Sequence, residues 1–165
     1  AQTYFEKKIA ATKKKSKNRY TGIEVLNLML NYEIEQAEEK AIRVKCAVEA
    51  YHCPVDETEL CIIIGNLFDN AIEAVKDLPD EQRQIDFSIQ NPNGIFRIEM
   101  SNPYEDERRK VEHHYLTTKK ENTEMHGLGL MSVQKIVEKY DGLMEISDTD
   151  NVFKVIVIFF VRGND

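Results

Sequence analysis

One stretch constrains the fold of this chain more than any other: Cys61-Ile62-Ile63-Ile64-Gly65-Asn66-Leu67-Phe68-Asp69-Asn70-Ala71-Ile72. Residues four apart share a helix face. As a helix, the stretch stacks Asn66 against Asn70 and sets Asp69 beside them. A helix this apolar has to be buried in a core. An amide buried without a partner costs roughly 1–3 kcal/mol, so the stripe requires something to hydrogen-bond or to coordinate.

At 165 residues the chain has room for a single compact domain with a real core. A hydrophobic content of 42% and a charged content of 31% are those of an ordinary soluble protein. The net charge of -7 argues against nucleic acid as a partner, since that affinity depends on basic patches. Cys46, Cys53 and Cys61 show no metal-ligand spacing and read as reduced core thiols. The longest apolar stretch, Val155 to Val161, falls far short of the roughly 20 residues of a spanning helix.

Residues 2–18 are basic and helix-compatible, and residues 1–20 read as a helical linker or the remnant of a hairpin, as in a piece of a longer protein. Residues 21–165 then form the main domain. Thr21 with Glu24 predicts a capping box, followed by a helix carrying Ile23, Leu26, Leu30, Ile34 and Ala37 and ending near Lys40. Ile42 to Glu49 alternates as a strand. Asp56 is placed to cap the Asn-striped helix, which runs to about Asp77. Gln84–Gln90 and Ile95–Met100 flank the turn signal Asn91-Pro92-Asn93-Gly94 and predict a hairpin. Residues 102–125 are charged, poor in apolar anchors and read as a lid. A helix follows over about 128–140, with Val133 and Ile136 inward and Gly142 as its terminator. Leu143–Ser147 and Val152–Val161 make a last hairpin.

Carboxamide oxygens suit Mg²⁺, which prefers octahedral oxygen ligands and shares its shell with waters and phosphates. Asn66 and Asn70 can offer such oxygens without adding negative charge; equally, they can bridge neighbouring backbone. Gly127-Leu128-Gly129, entering a helix, lets backbone approach a phosphate at the helix N-terminus. A lone G-x-G is weak, but its place after a polar lid and a metal-suited amide pair makes the combination specific.

These segments resemble a known superfamily. Gly65-Asn66-Leu67-Phe68-Asp69-Asn70-Ala71 is similar to the N box of the gyrase, heat-shock chaperone, histidine kinase and MutL group, and Gly127-Leu128-Gly129-Leu130 to its second glycine box. Asn70-Ala71-Ile72-Glu73-Ala74 together with Thr117-Thr118-Lys119 is most similar to sensor histidine kinases that respond to quorum-sensing peptides. The resemblance covers residues 20 to 161. It implies a Bergerat ATP-binding fold, an α/β two-layer sandwich of a mixed sheet under helices. It implies that Asn66 and Asn70 are the catalytic pair and hold Mg²⁺ on the ATP phosphates, with Asp69 on the nucleotide side. Gly127, Leu128, Gly129 and Leu130 would hold the phosphates, with Thr118 and Lys119 in the lid.

Two features depart from the pattern. The first glycine box reads Asp-x-Gly-x-Gly in the superfamily, where the Asp accepts from the adenine amino group; here Ser101-Asn102-Pro103-Tyr104-Glu105 stands in its place. Asn102 then supplies a neutral, weaker acceptor, with Glu105 and Asp106 nearby. Glu73 occupies a position that is often basic. Of the histidines, His52 falls in a strand-to-helix loop, His113 and His114 in the lid and His126 at the glycine box, so none occupies an early phosphoacceptor helix.

The resulting expectation is the catalytic ATP-binding domain of a two-component sensor histidine kinase, passing the γ-phosphoryl to a histidine on a hairpin outside this chain. Its partners would be that hairpin and a response regulator, in a homodimeric, membrane-anchored bacterial receptor whose kinase domain is cytoplasmic. The alternatives are a nucleotide-degenerate regulatory module and an anti-sigma-factor-type serine kinase.

Overall fold

The computed structural model describes residues 21–105 and 128–162. The basic segment 2–18, most of the expected lid with Thr118 and Lys119, Gly127 and the histidines 113, 114 and 126 lie outside the described residues.

The elements run α1 (Glu24–Glu39), β1 (Arg43–Val48), α2 (Glu57–Val75), a 3-10 turn (Asp80–Gln82), β2 (Gln84–Gln90), β3 (Ile95–Pro103), α3 (Leu128–Lys139), β4 (Leu143–Thr149) and β5 (Val152–Phe160). The five strands form one sheet in the order β1-β2-β3-β5-β4. β1 and β2 are parallel and joined through α2, whereas every other pair is antiparallel. A parallel pair needs such a crossover, because a tight turn can only reverse the chain. The result is the expected mixed sheet under helices.

Strand alternation decides which face is covered. Ile85, Phe87 and Ile89 of β2, Phe96, Ile98 and Met100 of β3, and Val155, Val157 and Phe159 of β5 are buried on one face. Leu60, Ile63, Ile64, Leu67, Phe68, Ala71 and Val75 of α2 close over them, and the Phe68 and Phe87 rings meet at 5.1 Å. α1 packs beside α2 over β1, and α3 on its other flank over β4 and β5. The opposite face carries charges, including Glu99 between Arg97 at 2.7 Å and Lys154 at 3.2 Å.

Asp56 caps α2 as expected, its carboxylate accepting from the Thr58 N–H at 3.0 Å. The expected capping box at α1 is not formed. The N-cap is Ile23, and Asn27 reaches back instead: its Oδ1 accepts from the Thr21 N–H at 2.8 Å and its Nδ2 donates to Thr21 O at 2.9 Å. Gly142 ends α3 as expected, without itself taking the left-handed conformation. The left-handed residue after α3 is Asp141, at φ 52, and the Gly142 N–H closes the cap on Val137 O at 2.9 Å. Gly142 is there for space, since a Cβ would fall 2.6 Å from Ile158 O.

β3 continues three residues past Met100, so Asn102 and Pro103, expected at the start of a lid, belong to the sheet and pair with Phe153 and Val152. The last hairpin closes through a two-residue turn with Asp150 at φ 54 and Asn151 at φ 60. Two positive φ values in a row are those of a type I′ turn, whose twist matches that of the strands. No helix among the described residues is long and apolar enough to cross a membrane.

Candidate functional site

Helices α2 and α3 run antiparallel, and their contact brings distant parts of the sequence together. At one end the Tyr140 hydroxyl accepts from the Asp56 N–H at 3.1 Å and donates to Glu59 Oε1 at 3.1 Å. Lys139 Nζ meets the same carboxylate oxygen at 2.5 Å, and that hydrogen bond raises the Lys139 pKa above its ordinary value. At the other end the first turn of α3 lies against Asn66. A Cβ at Gly129 would sit 3.0 Å from Asn66 Oδ1. Glycine therefore lets the helix start approach the amide oxygen.

The Asn stripe is half-buried rather than sealed in the core, with Asn66 and Asn70 at the margin and Asp69 exposed. Asn66 Nδ2 donates to Ile62 O at 2.9 Å, one turn back. Bridging backbone and offering a ligand, the two sequence-level alternatives, are thus compatible. The backbone bond uses the nitrogen and turns the oxygen towards Gly129. Asn70 follows one turn later on the same face.

At the start of α3, Leu130 is buried and anchors the helix, while Leu128 is 52% exposed. The first turn of a helix leaves its backbone N–H groups without intrahelical acceptors, and a glycine there exposes them to an anion. No acidic residue occupies this turn, which leaves it favourable to negative charge.

Asn102 enters from the end of β3 with its side chain on the helix-covered face and is only 2% exposed. Its Nδ2 donates to Pro103 O at 2.9 Å. Its Oδ1 is buried with no hydrogen-bond partner. A buried acceptor left open costs roughly 1–3 kcal/mol, and it has the chemistry to receive an amino group. Two residues on, the Tyr104 hydroxyl is likewise buried without a partner. Sequence reading passed over Tyr104, although alternation through Met100 and Asn102 places it on the same face.

The cysteines stay outside this chemistry. Burial pushes the Cys46 and Cys61 thiols up to about 11 and raises Cys53 as well, so all three are protonated at neutral pH. Among the described residues, no group of three or more His, Cys, Asp or Glu side chains could hold a metal ion. The oxygens near the helix junction are amides, which fit Mg²⁺ shared with phosphates and water, not an all-carboxylate cage.

Several known proteins are similar to this chain. The probable C4-dicarboxylate sensor kinase of Halalkalibacterium halodurans is 26% identical over 106 residues, covering 63% of this chain and 20% of that protein. The sensor histidine kinase DpiB of Escherichia coli is 26% identical over 117 residues, covering 67% of this chain and 21% of that protein. The chain thus spans about a fifth of the length of these curated relatives. Among solved structures, the catalytic domain of the histidine kinase ThkA superposes with a TM-score of 0.66 at 16% identity, covering 86% of this chain and 94% of that one. The mycobacterial sensor histidine kinase MprB gives 0.63 at 16% identity, covering 86% and 96%. At such identities the likeness is one of fold. A family model described as the GHKL domain matches residues 55–159, from the start of α2 to the end of β5. That match takes in well over half of the sequence, and the chain belongs to the GHKL domain family.

Proposed function

We propose that this chain is the ATP-binding catalytic domain of a sensor histidine kinase and passes the γ-phosphoryl of ATP to a histidine on a separate helical hairpin. The observation that carries the reading is the meeting of the Asn66 oxygen on α2 with the Gly129 turn opening α3. The open, buried Asn102 acceptor at the end of β3 adds to it. Family membership and the sensor-kinase relatives support it.

Phosphoryl transfer asks a protein mainly for positioning and charge neutralisation. Asn66 and Asn70 would hold Mg²⁺ through their amide oxygens. When bound, the ion offsets phosphate charge. The backbone N–H groups at Leu128, Gly129 and Leu130 would orient the phosphates. Asn102 Oδ1 would accept from the exocyclic amino group of the base. Asp69 lies beside this arrangement on α2; Gly127, Thr118 and Lys119, which the resemblance places at the phosphates, would complete it. A response regulator, a homodimeric assembly through the hairpin, membrane anchoring with a cytoplasmic kinase domain, and a quorum-sensing peptide signal belong to the same proposal.

The orphaned Asn102 acceptor also favours a nucleotide-binding domain over a degenerate regulatory module. A site that had lost its ligand would gain stability from an apolar residue there. Because Asn102 is neutral where the superfamily has a carboxylate, the metal–phosphate end should carry more of the affinity. Calorimetric titration with ATP is expected to show binding with Mg²⁺ and a steep loss in excess chelator. A folded domain that binds no ATP in either condition refutes the reading.

A further inference from the structure

Asn102 shares the end of β3 with a second orphan. Tyr104 is 3% exposed, and its hydroxyl is buried without a partner. We propose that the Tyr104 hydroxyl reads the purine alongside Asn102, donating to a ring nitrogen that flanks the exocyclic amino group. This rests on the nucleotide-binding reading above and extends it to a residue standing where the superfamily's box has a glycine.

The backbone fixes both groups. The Tyr104 N–H donates to Asn151 O at 3.1 Å, prolonging the β3–β5 pairing past Pro103. Asn151 is itself locked in the type I′ turn at φ 60. Pro103, between the two side chains, has a fixed φ and no N–H to offer. Residues 102 and 104 therefore lie on one side of the extended chain. The bond from Asn102 Nδ2 to Pro103 O fixes which way that amide faces, and its oxygen is left buried without a partner. The Tyr104 hydroxyl can donate or accept.

A fixed acceptor beside a hydroxyl donor complements a 6-aminopurine. The amino group donates to Asn102 Oδ1, and N1 or N7 accepts from Tyr104. A 6-oxopurine would point its oxygen at the committed acceptor. Discrimination between amino and oxo purines therefore belongs to Asn102, and Tyr104 adds affinity through the ring nitrogen.

The test is titration of the full chain with Mg²⁺ and either ATP, 1-deaza-ATP or 7-deaza-ATP, in wild type and Tyr104→Phe. Loss of one neutral hydrogen bond should weaken ATP about three- to ten-fold in the variant. One of the two deaza analogues should bind wild type weaker by a similar factor and show no further loss in Tyr104→Phe. Preference for ATP over ITP should survive the substitution. Equal ATP affinity in both proteins, or an equal loss for ATP and both analogues, overturns the proposal. If Tyr104→Phe does not fold, the analogues on wild type decide: both binding as well as ATP overturns it. Absence of any Mg·ATP binding to wild type fails the nucleotide-binding reading itself.

Discussion

Substituting Gly129 by alanine tests whether the Asn66–Gly129 contact is part of a binding site or merely helix packing. The added Cβ would sit 3.0 Å from Asn66 Oδ1 and 3.5 Å from its Cγ, the first 0.4 Å short of the 3.4 Å at which ordinary contact begins. The helix axis cannot easily yield, because Leu130 next door is buried in the core. The amide has to move instead. Asn66 is held by its 2.9 Å bond to Ile62 O, so turning it away costs about 0.5–1.5 kcal/mol of rotamer strain and weakens that bond. Against this, alanine gains up to about 1 kcal/mol over glycine in a helix. Folding stability should therefore change by no more than about 1 kcal/mol in either direction. Binding should change far more. Mg²⁺ tolerates little departure from ideal geometry, and displacing a metal ligand through its surroundings typically costs about 10–100-fold. The assay is a cycle: wild type, Gly129→Ala, Asn66→Ala and the double variant, each measured by chemical denaturation and by calorimetry with Mg·ATP. With Asn66 already removed, Gly129→Ala should have no further effect on binding and should stabilise the fold by the full helical gain. An equal loss of affinity in both backgrounds would show that the glycine acts without Asn66 and would refute the reasoning.

Three further perturbations probe the packing around this site. Gly142→Ala places a Cβ 2.6 Å from the Ile158 carbonyl and 3.1 Å from the Phe159 ring, backbone and core that cannot retreat, so thermal unfolding should reveal a loss of about 1–3 kcal/mol. Tyr140→Phe removes the hydroxyl linking Asp56 N and Glu59, and should cost about 1 kcal/mol in denaturant unfolding while leaving nucleotide affinity unchanged. The buried thiols set an alkaline limit. Cys46 and Cys61 are raised from 9.0 to about 11, so the folded chain holds protons that the unfolded chain gives up. Their stabilisation is complete below about pH 9 and is lost as pH rises through 11. Unfolding midpoints should fall across that window in wild type and fall less in Cys46→Ala/Cys61→Ala.

The sequence was most legible where one local rule acted without competition. Alternation over Gln84–Gln90 and the apolar face of α2 each predicted a segment whose burial follows the same period. The errors share a cause, which is that backbone ends are settled by partners remote in sequence. Thr21 and Glu24 match a capping box, but Asn27 offers both ends of one amide to Thr21, and helix α1 starts where that bond places it. Asn102 and Pro103 look like loop in their own neighbourhood, yet Phe153 and Val152 draw them into the ladder. Gly142 was legible as the end of α3, but not the reason for a glycine there: Asp141 takes the left-handed conformation, and Gly142 answers to the Ile158 carbonyl sixteen residues on.

The same distinction explains what could be read of the site. Asn66 and Asn70 stood out because a polar pair breaks an apolar helix, a violation visible within one turn. Tyr104 did not, because a tyrosine after a proline violates nothing locally. Only burial turns its hydroxyl into an anomaly, and burial depends on the turn at Asn151 that holds its backbone. A residue of this kind is found by asking which buried polar atoms lack partners, not by motif. The two orphans lie at the end of β3 and one residue past it, in consecutive inward positions of the extended chain, and their combined cost would be several kcal/mol in a domain whose whole stability is of order 5–15 kcal/mol. Such a burden is hard to sustain in a packed core that never meets a ligand. Replacing both by apolar residues, Asn102→Leu with Tyr104→Phe, should therefore raise the unfolding midpoint while abolishing ATP binding. A fall in stability would mean that the two side chains serve the fold.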